Sequence, residues 1–138
     1  MGLYLCVFDE AESELEGVEI GLYADFNWFR FTLSAAIEGD RVGSKLPTLM
    51  GHSDCDGIWS VEECRALDDE LALVEQELVN FEPVALNSPW QAQVAKKLYL
   101  EFTSLSDCFF DVDGEPLIGR LRKLCRVAID NARPIEFQ

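Results

Sequence analysis

Between residues 60 and 81 the chain repeats apolar side chains at steps of three and four: Val61, Cys64, Leu67, Leu71, Val74, Leu78 and Phe81. Only a helix gathers these positions into one stripe. Ahead of the stripe, Ser60-Val-Glu-Glu63 matches a capping box, in which the serine hydroxyl and the glutamate carboxylate each accept a backbone N–H of the first turn. The pattern predicts a helix over about 61–80. Glu63, Glu70 and Glu77 recur at seven-residue steps near one edge of its opposite face, flanked by Glu62 and Asp69, and are expected to be exposed. A helix with a single apolar stripe must bury it, so the rest of the chain has to supply the covering surface.

The two ends of the chain offer strands for that purpose. Leu3 to Phe8 and Val18 to Tyr23 are short apolar runs joined by the polar segment Asp9–Gly17, which carries Glu10, Glu12, Glu14 and Glu16. From Asp25, read as an N-cap, Phe26, Phe29, Leu33 and Ile37 share a helical face that Trp28 and Phe31 widen, and Gly39-Asp40 ends the pattern. Leu46 to Met50 reads as a short strand. Asn87-Ser-Pro-Trp90 opens a third helix over about 89–101, with Pro at its first turn. Cys108 to Val112 is strand-like, and Leu117, Leu121, Leu124, Cys125 and Ala128 mark a fourth helix ending near Asn131. Ile135 to Phe137 reads as a last, edge strand. Strands near both termini with helices between them predict an α+β fold: a small, mostly antiparallel sheet packed with about four helices, in a single domain over residues 1–138. A chain of this length buries enough surface to need no disulfide or metal staple.

Charge narrows the choice of partners. There are 26 Asp and Glu against 11 Lys and Arg, a formal net charge of -15. Residues 1–90 hold 19 acids and four bases, whereas residues 91–138 hold seven of each, so the first two-thirds carry the whole excess. Nucleic acid and anionic membrane surfaces would repel such a chain, while a basic protein would complement it. Solubility alone also accounts for an acidic surface. The five cysteines are odd in number and contain no Cys-x-x-Cys pair, which suits reduced thiols and a cytoplasmic location. The N-terminus has no basic region ahead of an apolar run, so no secretory signal is expected.

Two motifs suggest chemistry. Asp111-Val-Asp113-Gly114 looks like the strand-end Asp-x-Asp-Gly of haloacid-dehalogenase-type phosphatases, but too little chain follows to supply the remaining catalytic groups, and a turn feeding the last helix is the better reading. His52-x-Asp54-x-Asp56-Gly57 with Glu63 follows the register of an EF-hand calcium loop. His52 stands where a carboxylate is expected, and Glu63 already serves the capping box. No calcium or zinc requirement is therefore expected, and no cofactor. His52 is the single histidine, and nothing marks a cysteine or serine as its nucleophilic partner, so no catalytic set is assembled. The alternatives kept are an acidic calcium-loop module and a small hydrolase.

Several segments together carry a resemblance: Gly2-Leu-Tyr-Leu-Cys-Val-Phe8, Gly17-Val-Glu-Ile-Gly21 with Tyr23-Ala-Asp-Phe26, Pro47-Thr-Leu49, His52-Ser-Asp-Cys-Asp-Gly57 with Trp59-Ser60, Asp107 to Leu117, and Pro134-Ile135 with Phe137-Gln138. Across nearly its whole length the chain resembles the bacterial immunity proteins of polymorphic toxin systems, and among them the family numbered 70. The resemblance implies a small, non-enzymatic, cytoplasmic antidote encoded beside a toxin and blocking it by tight binding. It brings no catalytic residues and no mapped contact positions. Resemblance and charge agree on a basic toxin, a nuclease for example, met by an acidic surface. Two elements concentrate that charge: the connection with Glu12, Glu14 and Glu16, and the helix edge with Asp69, Glu70 and Glu77.

Overall fold

The computed structural model describes residues 2–138. Strand β1 (Gly2–Phe8) turns back into β2 (Glu14–Leu22), which passes directly into helix α1 (Tyr23–Leu33) and a π-helical turn (Ser34–Glu38). A short helix α2 (Pro47–Met50), strand β3 (Ile58–Trp59) and the long helix α3 (Val61–Leu78) follow, then α4 (Pro89–Lys97), a 3-10 turn (Leu105–Cys108), α5 (Leu117–Asn131) and β4 (Ile135–Phe137). The four strands form one antiparallel sheet in the order β2-β1-β4-β3. This is the expected α+β arrangement, and no helix among the described residues is long and apolar enough to cross a membrane.

The sheet and helices share one core. Leu3, Leu5 and Val7 alternate along β1, Val18 and Ile20 along β2, and all join Phe26, Phe29 and Leu33 of α1. Helix α3 contributes the stripe read from the sequence, Cys64, Leu67, Leu71, Val74 and Leu78, and packs it on Leu121, Leu124, Cys125 and Ala128 of α5. The α3 capping box forms as expected: Glu63 N–H donates to Ser60 Oγ at 3.1 Å and Ser60 N–H donates to Glu63 Oε1 at 3.0 Å.

Several local expectations change. Leu46–Met50 is not a strand, because Pro47 sits at the first helical position, where its missing N–H costs nothing, and starts the one-turn α2. Cys108–Val112 is not a strand: Cys108 ends the 3-10 turn, and the segment after it makes only a single bridge, between Phe110 and Pro116. Helix α4 stops at Lys97 rather than near 101, since Tyr99 turns to φ 55° and ends it. Asp25 is the third residue of α1 rather than its N-cap, with its carboxylate accepting the N–H of Leu22 at 2.8 Å. Strand β4 is not at an edge: it lies between β1 and β3, the latter a two-residue strand too short to announce itself in the sequence. Phe31 faces outward at 62% exposure, so it does not widen the buried face of α1, whereas Trp28 packs on Phe109.

Candidate functional site

The acidic residues divide into those the fold uses and those it leaves free. In the β1–β2 turn, Asp9 Oδ1 accepts the N–H groups of Ala11 and Ser13 at 2.8 and 2.9 Å, which holds the connection closed and leaves Glu10 and Glu12 in solvent. Glu12 takes φ 61°, a left-handed geometry more easily met by glycine or asparagine. Glu14 is exposed and accepts the Tyr4 hydroxyl at 2.8 and 2.9 Å. Burial and then that hydrogen bond push the Tyr4 phenol up to about 12. Glu16 behaves differently. It is half-buried, 3.0 Å from Lys123 Nζ and 3.5 Å from an Arg120 nitrogen. Burial works to raise its pKa, yet the Lys123 hydrogen bond and the neighbouring charges leave it below its ordinary value.

On α3, Asp69 is exposed and Glu77 half-buried, but the exposure expected for Glu70 is corrected. Glu70 is buried because α2 lies across it, and its carboxylate accepts the N–H groups of Thr48 and Leu49 at 3.1 and 3.0 Å. It caps a neighbouring helix. Asp68 and Glu75, which the seven-residue spacing did not single out, instead hold Arg122 of α5 at 2.8 and 2.6 Å.

Both chemical motifs have internal duties. Asp111 is buried, with Oδ1 accepting the N–H groups of Asp113 and Glu115 and Oδ2 facing Arg120 at 3.2 Å, so it builds the turn ahead of α5. His52 stacks on Phe137 with centroids 4.1 Å apart, and each of its ring nitrogens lies 2.9 Å from a carbonyl oxygen, of Ser53 and of Ile58. Asp54 accepts the Asn27 amide at 2.7 Å, and Glu63 caps α3. No three His, Cys, Asp or Glu side chains are grouped to hold a metal among the described residues.

The sequence reading missed an apolar groove of about 430 Å³ between the end of β2 and helix α4, walled by Gly21, Leu22, Trp90, Val94 and Val112. Glu19 stands on the β2 lip and Lys97 on the α4 lip. Beneath it, Asp25 is buried and accepts the Trp90 indole N–H at 2.8 Å, the Asn87 amide at 2.8 Å, the Ser88 hydroxyl and the Leu22 N–H. Burial works to raise the Asp25 pKa, but these four donors outweigh it and hold the group below its ordinary value. The wall residues come from three separate stretches of chain, and their periodicity registers only as ordinary helix and strand faces.

The acids thus divide into those that hold turns, helix starts and ion pairs within the fold and those left exposed at the hairpin and on α3. Neither the curated proteins nor the solved structures compared with the chain give a match. A family model described as Immunity protein 70 matches residues 3–137. That match runs from the second residue of β1 to the last of β4, and the chain belongs to the Immunity protein 70 family.

Proposed function

We propose that this protein is a single-domain cytoplasmic antidote, of a bacterial polymorphic toxin system, that binds the toxin encoded beside it and blocks it without catalysis. The observation that carries this reading is the family match over residues 3–137. The net charge of -15 supports a basic toxin, with a nuclease the chemistry that best fits, because opposite charge speeds encounter and covers a cationic active site. Glu12 and Glu14 at the hairpin, and Asp69 with Glu77 on α3, are the proposed contacts. Glu16 and Glu70 are less suited, since each is already engaged inside the fold.

The test is co-expression with the neighbouring toxin gene. Cells should survive only when the antidote is present, and the two proteins should co-purify as a defined complex. Cell death despite well-expressed antidote would overturn the reading. So would turnover of a phosphate ester or glycoside by the purified protein that disappears with a defined residue.

A further inference from the structure

The groove between β2 and α4 is already shaped before any partner arrives. Trp90 is fixed by its indole bond to Asp25, and Val112 is fixed by donating its N–H to Glu19 O at 3.2 Å. Gly21 makes the wall thin, because at φ +125° it takes a conformation that other residues avoid, and a Cβ there would meet Trp90 at 2.6 Å. A preformed apolar cleft binds without the cost of ordering its walls.

The same region disfavours one common docking mode. A partner adds a strand to β2 by pairing with its free backbone groups. Here Gly17 O accepts the Arg120 guanidinium at 2.6 Å, Gly17 N–H donates to the Glu16 carboxylate at 3.2 Å, and Glu19 O is taken by Val112. A strand docking along the middle of β2 would have to displace these bonds, which favours recognition by side chains.

Tyr99 adds a second, independent observation. It lies two residues beyond Lys97 of the groove, is 89% exposed, and holds φ 55° at the position after a helix C-cap where glycine is preferred. Leu100 N–H closes the helix end on Ala95 O at 2.9 Å, so the left-handed turn is built in. A large aromatic residue held in an unfavourable conformation, with almost no packing of its own, stabilises nothing in the free protein. Tyrosines that cross into a partner are frequent anchors of interfaces.

Charge says what the occupant is. Glu19 on the β2 lip, and Glu12 and Glu14 along the same hairpin, sit in no ion pair among the described residues. Lys97 on the opposite lip is likewise free of one. We infer that the groove receives an apolar side chain of the cognate toxin, with the toxin's basic surface over the Glu12–Glu19 side, a neutral or acidic flank over Lys97, and Tyr99 packed against it. This rests on the antidote reading and names the surface that reading leaves open.

The experiment measures binding of the neighbouring gene's toxin to four purified proteins: wild type, Leu22→Ser, Gln93→Trp and Tyr99→Gly. Leu22 is exposed and is the N-cap of α1, where serine is a preferred residue and adds no charge beside Asp25, so that variant removes an apolar lip while keeping the helix start. Gln93→Trp fills the groove from an exposed position. Each should weaken binding by about 100-fold. Tyr99→Gly is the decisive variant: it should raise the melting temperature while weakening binding about 10-fold or more, a pairing that a purely structural role cannot produce. If wild type binds and all three variants bind equally well, the groove is not the contact and the inference falls while the antidote reading stands. If wild type itself does not bind, the antidote reading falls and the inference with it.

Discussion

The β1–β2 hairpin and the helical layer, through Asp25 of α1, Glu38 of the π-helical turn and Glu70 of α3, both carry acids, and they use them in opposite ways. In the hairpin, Glu10, Glu12 and Glu14 are exposed, and the fold takes from this segment only the turn that Asp9 closes and a surface hydrogen bond from the Tyr4 hydroxyl to Glu14. In the helical layer, Asp25, Glu38 and Glu70 are buried, and none of them faces a cation in an ion pair among the described residues. Their partners are backbone and neutral donors. Glu38 alone accepts the N–H groups of Gly43, Lys45 and Leu46 at 3.0, 2.9 and 2.8 Å, which pins the loop between the π-helical turn and α2. The comparison teaches that the negative charge of this chain is two populations: one that holds irregular backbone in place, and one available to a partner.

Removing the inward population should produce the largest effects. Asp25→Ala leaves four donors without their acceptor, the buried Ser88 hydroxyl among them, and should lower stability by about 3 kcal/mol, read as a fall in the urea midpoint with unchanged slope. Glu70→Ala frees two N–H groups at the start of α2, with an expected loss of about 2 kcal/mol. Glu63→Ala, which removes one half of a capping box at the surface, should cost about 1 kcal/mol. If Asp25→Ala and Glu70→Ala were as mild as a hairpin substitution, the division into two populations would not hold.

Acid should expose the same contrast without mutation. Asp25 and Glu38 both titrate below their ordinary values: burial works to raise each, but the hydrogen bonds from Ser88, Asn87, Trp90 and Leu22, and from Lys45, Leu46 and Gly43, prevail. A group depressed in the folded state gives stability that is fully present above its unfolded value and is lost as pH falls. Stability should therefore begin to drop near pH 4.5, where an unfolded glutamate takes up its proton, and continue falling until the folded groups titrate. In Asp25→Asn the fall should be shallower, because one of the depressed groups no longer titrates. Equal steepness in wild type and variant, followed by thermal unfolding from pH 7 to pH 3, would show that Asp25 is not part of the device.

What was legible in the sequence follows from the range of the forces involved. Helices α3 and α5, strand β1 and the Ser60–Glu63 capping box are local patterns, and each formed where its residues place it, whereas β2 begins at Glu14, four residues ahead of the apolar run at Val18, and so takes Glu14 and Glu16 out of the expected connection. Glu70 was misplaced because seven residues nearly complete two helical turns, which aligns it with Glu63 and Glu77 but says nothing about α2 lying across that one turn. Helix α2 itself is a single turn, too short to show a period, although Pro47 was the available signal for it. The groove needs β2, α4 and the Val112 loop brought together, a tertiary event that no window of sequence contains. The strained Tyr99 is invisible for a related reason, since its residue type argues against the conformation it adopts.

The smallest structural effect, and the sharpest functional one, belongs to the outward acids. Glu12 lies in the turn of the hairpin, Glu14 at the start of β2, and Asp69 on the free face of α3. Reversing exposed charges that sit in no ion pair leaves folding stability nearly unchanged. Their field still acts at a distance on an approaching basic partner, so reversal should slow association and flatten its dependence on ionic strength, while dissociation changes little. Glu12→Lys/Glu14→Lys should do this more strongly than Asp69→Lys, because it reverses two charges on the same hairpin as Glu19 of the groove. The measurement is the toxin association rate across a series of salt concentrations, beside the melting temperature of each protein. Should Asp69→Lys slow association more than the hairpin pair, the partner approaches over α3, and the groove at the far end of β2 loses its steering surface. Equal, unslowed association in both would mean that the outward acids serve solubility alone.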